Sequence, residues 1–425
     1  MKADILRTAA EFYLKSGDFN GISALDLSSS LGVEWDDLRA DLADLIQEDK
    51  IGVLHSDQDM NTHILRVGFP DASVQIEKLD TDDLFHTCVY PRPIYLETVV
   101  DTKHYENEPY KLDLANGEPQ LAFRTFDLSV LEYYRNDPRY YYHTNDINGS
   151  ISVKREYYES NQMPEHDQIL LQTFGFAYDD DLNRGVAVFL RYLSDLSPEH
   201  QQIWKMKEVN GTYDLHPEYY RNTVLGAWGK HLPICSAFIL ELYVVNQMCA
   251  AMGRPPLFLT DYGPYGEDRP QNFTFLVRPT LEEFNNFVLL LDKLLSDNIN
   301  KKFFQNEVSY ETETPRYDGK VVVSKKGTIQ ILEDWISKVF RPQDRTLIDT
   351  SIASLRKIRK LRQQPAHAIK ENVFNQTYFK EQRALIIEAY EAVRMIRLLL
   401  ANHPLVRKAA IEVPDALANG DVATL

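Results

Sequence analysis

Arg362 and His367 stand with four residues between them in the stretch SIASLRKIRKLRQQPAHAIKEN, residues 351–372. A guanidinium is a permanent cation able to hold an oxyanion, and an imidazole titrates near neutrality and can carry a proton. Around them lie Arg356, Lys357, Arg359, Lys360 and Lys370, with no acid in the stretch before Glu371. The chain as a whole is acidic, at a formal net charge of −17. Between residues 341 and 410, 14 Lys plus Arg face 6 Asp plus Glu, a balance of +8, so everything else sums to −25. An asymmetry of that size marks where an anion could dock.

A helix must position these groups. Ile348, Ile352 and Leu355 step by four and then three residues, which is the inward seam of a helix. The same rhythm continues onto Arg359 and Arg362. A charge on an inward seam needs a partner, and a phosphate or a carboxylate from another chain would serve. Pro365 disfavours helical geometry at Gln364, so the helix is expected to end or kink there. In an unbroken helix, residues five apart point about 140° away from each other. The break is what would let His367 swing back beside Arg362.

The surrounding sequence reads as a bundle. TLEEFNNFVLLLDKLLSDNI opens on Thr280 with Glu283 three residues on, the spacing of a capping box. YETETPRYDGKVVVSKKG, residues 310–327, interrupts as a hairpin or flexible excursion. Then follow TIQILEDWISKVF, TLIDTSIASLRKIRKLRQ and YFKEQRALIIEAYEAVRMIRLLLANHP. Four amphipathic helices with short connections pack naturally as an antiparallel bundle, here residues 276–413.

Arg362 and His367 on such a bundle resemble the R-x4–6-H motif of the HEPN superfamily. Its members are mostly metal-independent endoribonucleases that build their site across a homodimer, and some are inactive scaffolds. The resemblance implies RNA as partner, a homodimer through the C-terminal bundle, and neither cofactor nor metal. It implies His367 as general acid or base at the ribose 2′-hydroxyl and Arg362 as stabiliser of charge on the scissile phosphate. Arg356, Lys357, Arg359, Lys360 and Lys370 read as phosphate contacts, not catalysts. Toxin–antitoxin and phage-defence settings are common for such nucleases. Gln363 stands where the family tends to place Asn, Asp or His. With 24 Arg and 11 His in 425 residues, chance alone supplies about two matches to so loose a pattern. The chain has a second one, Arg397 to His403, and position separates them: Arg397 lies in an ordinary amphipathic helix near its cation-favouring C-terminus.

Residues 1–70 read as three helices and two strands. ADILRTAAEFYL has helical spacing, SALDLSSSLGV gives a short helix ended by Gly32, and EWDDLRADLADLIQEDK puts Leu38, Leu42 and Leu45 on one face. IGVLHSD and NTHILRVGF then alternate like a hairpin. That order resembles a winged helix-turn-helix domain. Its third helix holds Glu34, Asp36, Asp37, Asp41, Asp44, Glu48 and Asp49 against Arg39 and Lys50. Such a helix repels phosphate, so a transcription regulator on DNA is disfavoured and a protein partner at this acidic domain is expected.

Residues 71–275 read as one mixed α/β domain of unknown role, and the tail 414–425 as frayed. The segment 131–160 holds seven tyrosines with Lys and Arg interleaved, either a base-stacking surface or tyrosines at a domain interface. SPEHQQIWKM and HPEYYRNTVLGAW each carry a proline at the first helical position. Leu232 to Met252 is the most apolar run, but Glu241 and its polar neighbours favour a buried helix over a membrane span. YDDDLNR, residues 178–184, reads as a solvated loop before a metal site. No nucleotide-phosphate loop, H-E-x-x-H, C-x-x-C or G-x-S-x-G occurs. Cys88, Cys235 and Cys249 are too few and scattered for a disulfide framework. Without a secretory signal the expectation is a cytoplasmic protein, mostly α within an α+β class, whose alternative role is a non-catalytic adaptor.

Overall fold

The computed structural model describes residues 1–424 except 58, 81–82, 161–162, 228–230, 265, 267–268, 271, 306, 316, 318 and 364–370. The chain is mixed α+β and mostly α, with 49% helix and 15% strand. It divides into two compact units: Met1–His143 with Asn148–Ala227, and Thr144–Ile147 with Trp228–Leu425.

The N-terminal unit begins with α1 (Lys2–Lys15), β1 (Ile22–Ser23), α2 (Ala24–Leu31), α3 (Trp35–Gln47), β2 (Ile51–Leu54), α4 (Ala72–Lys78) and β3 (Cys88–Pro91). The Ser23 side chain accepts from Asp26 N to start α2, and Gly32, at φ 65°, ends it. Leu38, Leu42 and Leu45 of α3 are fully buried, as their spacing requires. The expected strand NTHILRVGF is corrected by the structure. β2 pairs instead with β3, whose four residues are all buried, in a sheet of order β1-β3-β2. The backbone of residues 61–69 turns to side chains: Tyr90 Oη donates to Thr62 O, and Leu65 N donates to Gln120 Oε1. A boundary at residue 70 would therefore cut this sheet off from its middle strand.

Short helices α5 (Pro93–Leu96) and α6 (Pro109–Ala115) lead to β4 (Phe123–Phe126), then α7 (Glu132–Arg135), β5 (Tyr140–Thr144), β6 (Asn148–Val153) and α8 (Arg155–Glu159). β7 (Leu170–Tyr178), β8 (Arg184–Phe189), α9 (Leu190–Ser194), α10 (Pro198–Lys205), β9 (Asp214–Leu215) and α11 (Pro217–Thr223) complete the unit. The sheet runs β4-β8-β7-β6-β5, with β9 also on β7. Gly175 on β7 lies under Tyr219 of α11, where a Cβ would sit 2.0 Å from the ring. Tyr134, Tyr140 and Tyr142 are buried, and Trp204 Nε1 donates to Tyr134 Oη. Three of the segment's seven tyrosines are thus core of this unit, and Tyr133, Tyr141 and Tyr158 are exposed.

The C-terminal unit holds β10 (Leu232–Pro233), α12 (Ile234–Ala251), α13 (Leu281–Leu294), the hairpin β11 (Glu311–Pro315) and β12 (Val321–Lys325), α14 (Thr328–Val339), α15 (Thr346–Gln363), α16 (Thr377–Ala401), α17 (Pro404–Ala409), α18 (Asp415–Asn419) and β13 (Val422–Ala423). Thr280 caps α13 by accepting from Glu283 N, and Glu283 Oε2 takes Val277 N and Arg278 N. One core unites α12, α13, α14, α15 and α16. The boundary expected at residue 275 puts α12 with the preceding domain; α12 belongs here because its buried residues join this unit's core and it packs along α16. Among the described residues it is the one helix long and apolar enough to cross a membrane, and most of it is buried. The 310–327 excursion is an antiparallel hairpin with Glu311 opposite Lys325. The expectation of a frayed tail is also corrected. Leu417 is fully buried and β13 pairs in parallel with β10, so one apolar anchor and a short ladder hold it down.

Candidate functional site

Ile348, Ile352 and Leu355 are buried, and Arg359 and Arg362 follow at the end of the same seam, partly exposed. Their partner comes from α13. Phe284, Phe287, Val288 and Leu291 form that helix's buried face, and Asp292 continues it with a side chain only 1% exposed. Arg359 Nη1 lies 2.7 Å from Asp292 Oδ2 and Arg362 Nη1 lies 3.1 Å from the same oxygen. Ser296 Oγ donates to Asp292 Oδ1 and receives Arg359 Nη1 at 3.2 Å. Asp297, one residue further on, gives Oδ1 to Arg359 at 2.7 Å and Oδ2 to Arg362 at 3.3 Å. Two guanidiniums and two carboxylates therefore form one cluster with no net charge. For Arg359, burial works to lower the pKa, and the hydrogen bonds it donates to Asp297 and Asp292 outweigh it and raise the group above its ordinary value.

The seam charges thus have their counter-ions on α13 of the same chain, so neither a phosphate nor a carboxylate from another chain is required. The remaining cations of α15 divide in the same way. Arg356 pairs with Glu333 and also donates to Gln330 Oε1 at 3.1 Å. Lys357 Nζ lies 2.7 Å from Glu388 on α16. Lys360 is exposed and makes no ion pair among the described residues. α15 is described as far as Gln363. His367, Lys370, Gln364 and the bend at Pro365 lie outside the described residues.

The second Arg–His pair does different work. Arg397 is buried, donates from Nε to Glu241 Oε2 at 2.6 Å, and reaches Leu417 O at 3.2 Å. His403 is the N-cap of α17, its Nδ1 accepting from Leu405 N. Burial raises the pKa of Glu241, and its hydrogen bond to Arg397 opposes that shift.

Asp292 and Asp297 are the functional-site candidates the sequence reading missed. A signal existed: an acid on the apolar seam of one helix is the complement of an arginine on the seam of another. No group of three His, Cys, Asp or Glu side chains able to hold a metal occurs among the described residues. The three cysteines are buried, and burial pushes the Cys88 thiol up to about 11 and Cys249 to about 12, which suits packing and not nucleophilic attack. Comparison with protein families, with curated proteins and with solved structures finds no match to this chain.

Proposed function

We propose that the chain is a non-catalytic adaptor, a helical interaction module whose bundle assembles copies of the protein and whose acidic N-terminal domain meets a protein partner. The carrying observation is that four of the five described cations of α15 that would face RNA already have a carboxylate partner in the same chain. Attraction to a phosphate backbone comes from positive charge in excess, and pairing in cis removes the excess. The winged-helix-like order of the first residues supports partner binding. Glu34 at the N-cap of α3 and Asp37 in its first turn, both exposed, direct that binding toward a basic protein surface and away from DNA. The setting proposed is cytoplasmic.

A second reading, a HEPN-type endoribonuclease working as a homodimer in toxin–antitoxin or phage-defence contexts, is favoured by one feature of Arg362. Its contacts among the described residues all run through Nη1, which leaves Nε and Nη2 of a 29% exposed side chain available to a phosphate. In this reading Arg362 and His367 act at the scissile phosphate, with Arg356, Lys357, Arg359, Lys360 and Lys370 along the RNA backbone.

One experiment separates the two. Wild-type and His367→Ala proteins are incubated with total tRNA and with single-stranded RNA in EDTA. The adaptor reading expects intact RNA in both. Cleavage by the wild type that the variant lacks would replace it with the nuclease reading.

A further inference from the structure

We propose that Arg359 and Arg362 form a binding site for a tetrahedral oxyanion, phosphate or a phosphate ester, and that the Asp297 carboxylate occupies this site in cis. The inference deepens the second reading, in which both arginines contact phosphate, and rests on it for the choice of anion.

The two carboxylates of the cluster are not equivalent. Asp292 is buried, fixed by the Ser296 hydroxyl, and bound through one oxygen to both arginines. It is a permanent counter-ion that cancels one of the two positive charges. Asp297 sits beyond the end of α13 with a side chain 40% exposed. It spans the pair, one oxygen to each guanidinium. A phosphate presents two of its oxygens to two guanidiniums in the same manner. A phosphate monoester carries a charge of about −1.5 to −2 at neutral pH, against −1 for the carboxylate.

Water competes for an exposed carboxylate, so the Asp297 contacts are the weak half of the cluster. The two arginine side chains are also about one-third exposed, at 35% and 29%, which puts the cluster at the surface of the unit. With Asp297 neutralised, two arginines against Asp292 leave a local charge of +1. The geometry is then that of an open anion site, and Asp297 is its gate.

The test titrates wild type, Asp297→Asn, Asp297→Ser and the double variant Asp297→Asn/Arg362→Gln by calorimetry, with inorganic phosphate in one arm and a short single-stranded oligoribonucleotide in the other. Phosphate should bind both single variants at least about tenfold more tightly than wild type, the size expected when a charged hydrogen-bonded competitor is removed. The double variant should fall back to the wild-type level. A gain confined to the oligoribonucleotide arm assigns the site to phosphate esters, and a gain in both arms assigns it to phosphate in general. Equal binding by wild type and both single variants, or a double variant that binds as tightly as Asp297→Asn, overturns the proposal. The readout is independent of RNA cleavage, so its failure leaves either functional reading standing.

Discussion

Arg397 on α16 and Glu241 on α12 form an ion pair in the interior of the C-terminal unit, with 5% and 0% of their side chains exposed. Such a pair gives little net stability when intact, but half of it left behind is costly. Arg397→Met should destabilise the unit by about 3–5 kcal/mol, because the buried Glu241 carboxylate then loses the cation hydrogen-bonded to it. Its Oε1 already lacks a hydrogen-bond partner among the described residues. Glu241→Leu/Arg397→Met should recover most of the loss. Urea unfolding of the three proteins checks both statements, and a double variant as weak as the single one refutes the second.

Asp292 and Asp297 should rank far apart in the same measurement. Asp292→Ala removes a buried charge shared by two arginines, yet both arginines can turn to water, so the cost should be about 2 kcal/mol, below the usual range for a broken buried pair. Asp297→Ala removes a partly exposed partner and should cost about 1 kcal/mol or less. Equal costs would mean that the outer carboxylate is as firmly held as the inner one.

These relationships show which parts of the molecule the sequence makes legible. The α15 seam is readable because apolar spacing is local, and its continuation onto Arg359 and Arg362 demands a counter-charge. The position of that counter-charge on α13 depends on which helices touch, a long-range fact that spacing within one helix does not contain. The same limit explains β3: alternation in IGVLHSD announces a strand, and the nearer segment NTHILRVGF competes with the true partner, Cys88–Pro91, on short-range pattern alone. Leu417 shows a further limit, since one buried leucine in a small polar tail carries no periodic signal.

The thiols offer a test of the N-terminal sheet and of the bundle at once. Cys88, Cys235 and Cys249 are all buried. A thiol raised to about 11, as for Cys88, or about 12, as for Cys249, is almost wholly protonated near pH 8, and the thiolate is the reactive form. A water-soluble disulfide reagent at that pH should find no fast-reacting thiol in the native protein and all three after denaturation. Fast modification before unfolding would show that one of the two cores opens readily.

His200 predicts the acid sensitivity of the N-terminal unit. Its ring is fully buried, its Nδ1 meets Tyr134 Oη at 2.9 Å, and its Nε2 has no partner among the described residues. Burial pushes its pKa below the ordinary imidazole value, against the opposing pull of Asp167 and Glu199. His55, also buried, shifts in the same direction for the same first reason. A folded pKa below the unfolded one means that the unfolded chain takes up the proton first as the solution is acidified. The stability tied to the neutral ring is therefore complete above about pH 6.5, the unperturbed value, and is lost as pH falls through the folded pKa. The urea midpoint, followed by tryptophan fluorescence to which Trp204, bonded to the same Tyr134 hydroxyl, contributes, should drop steadily below about pH 6.5. His200→Gln, which keeps a polar side chain facing Tyr134 and does not titrate, should flatten that slope without abolishing it, because His55 remains. A midpoint that stays level in the wild type, or falls equally steeply in the variant, removes His200 as the source.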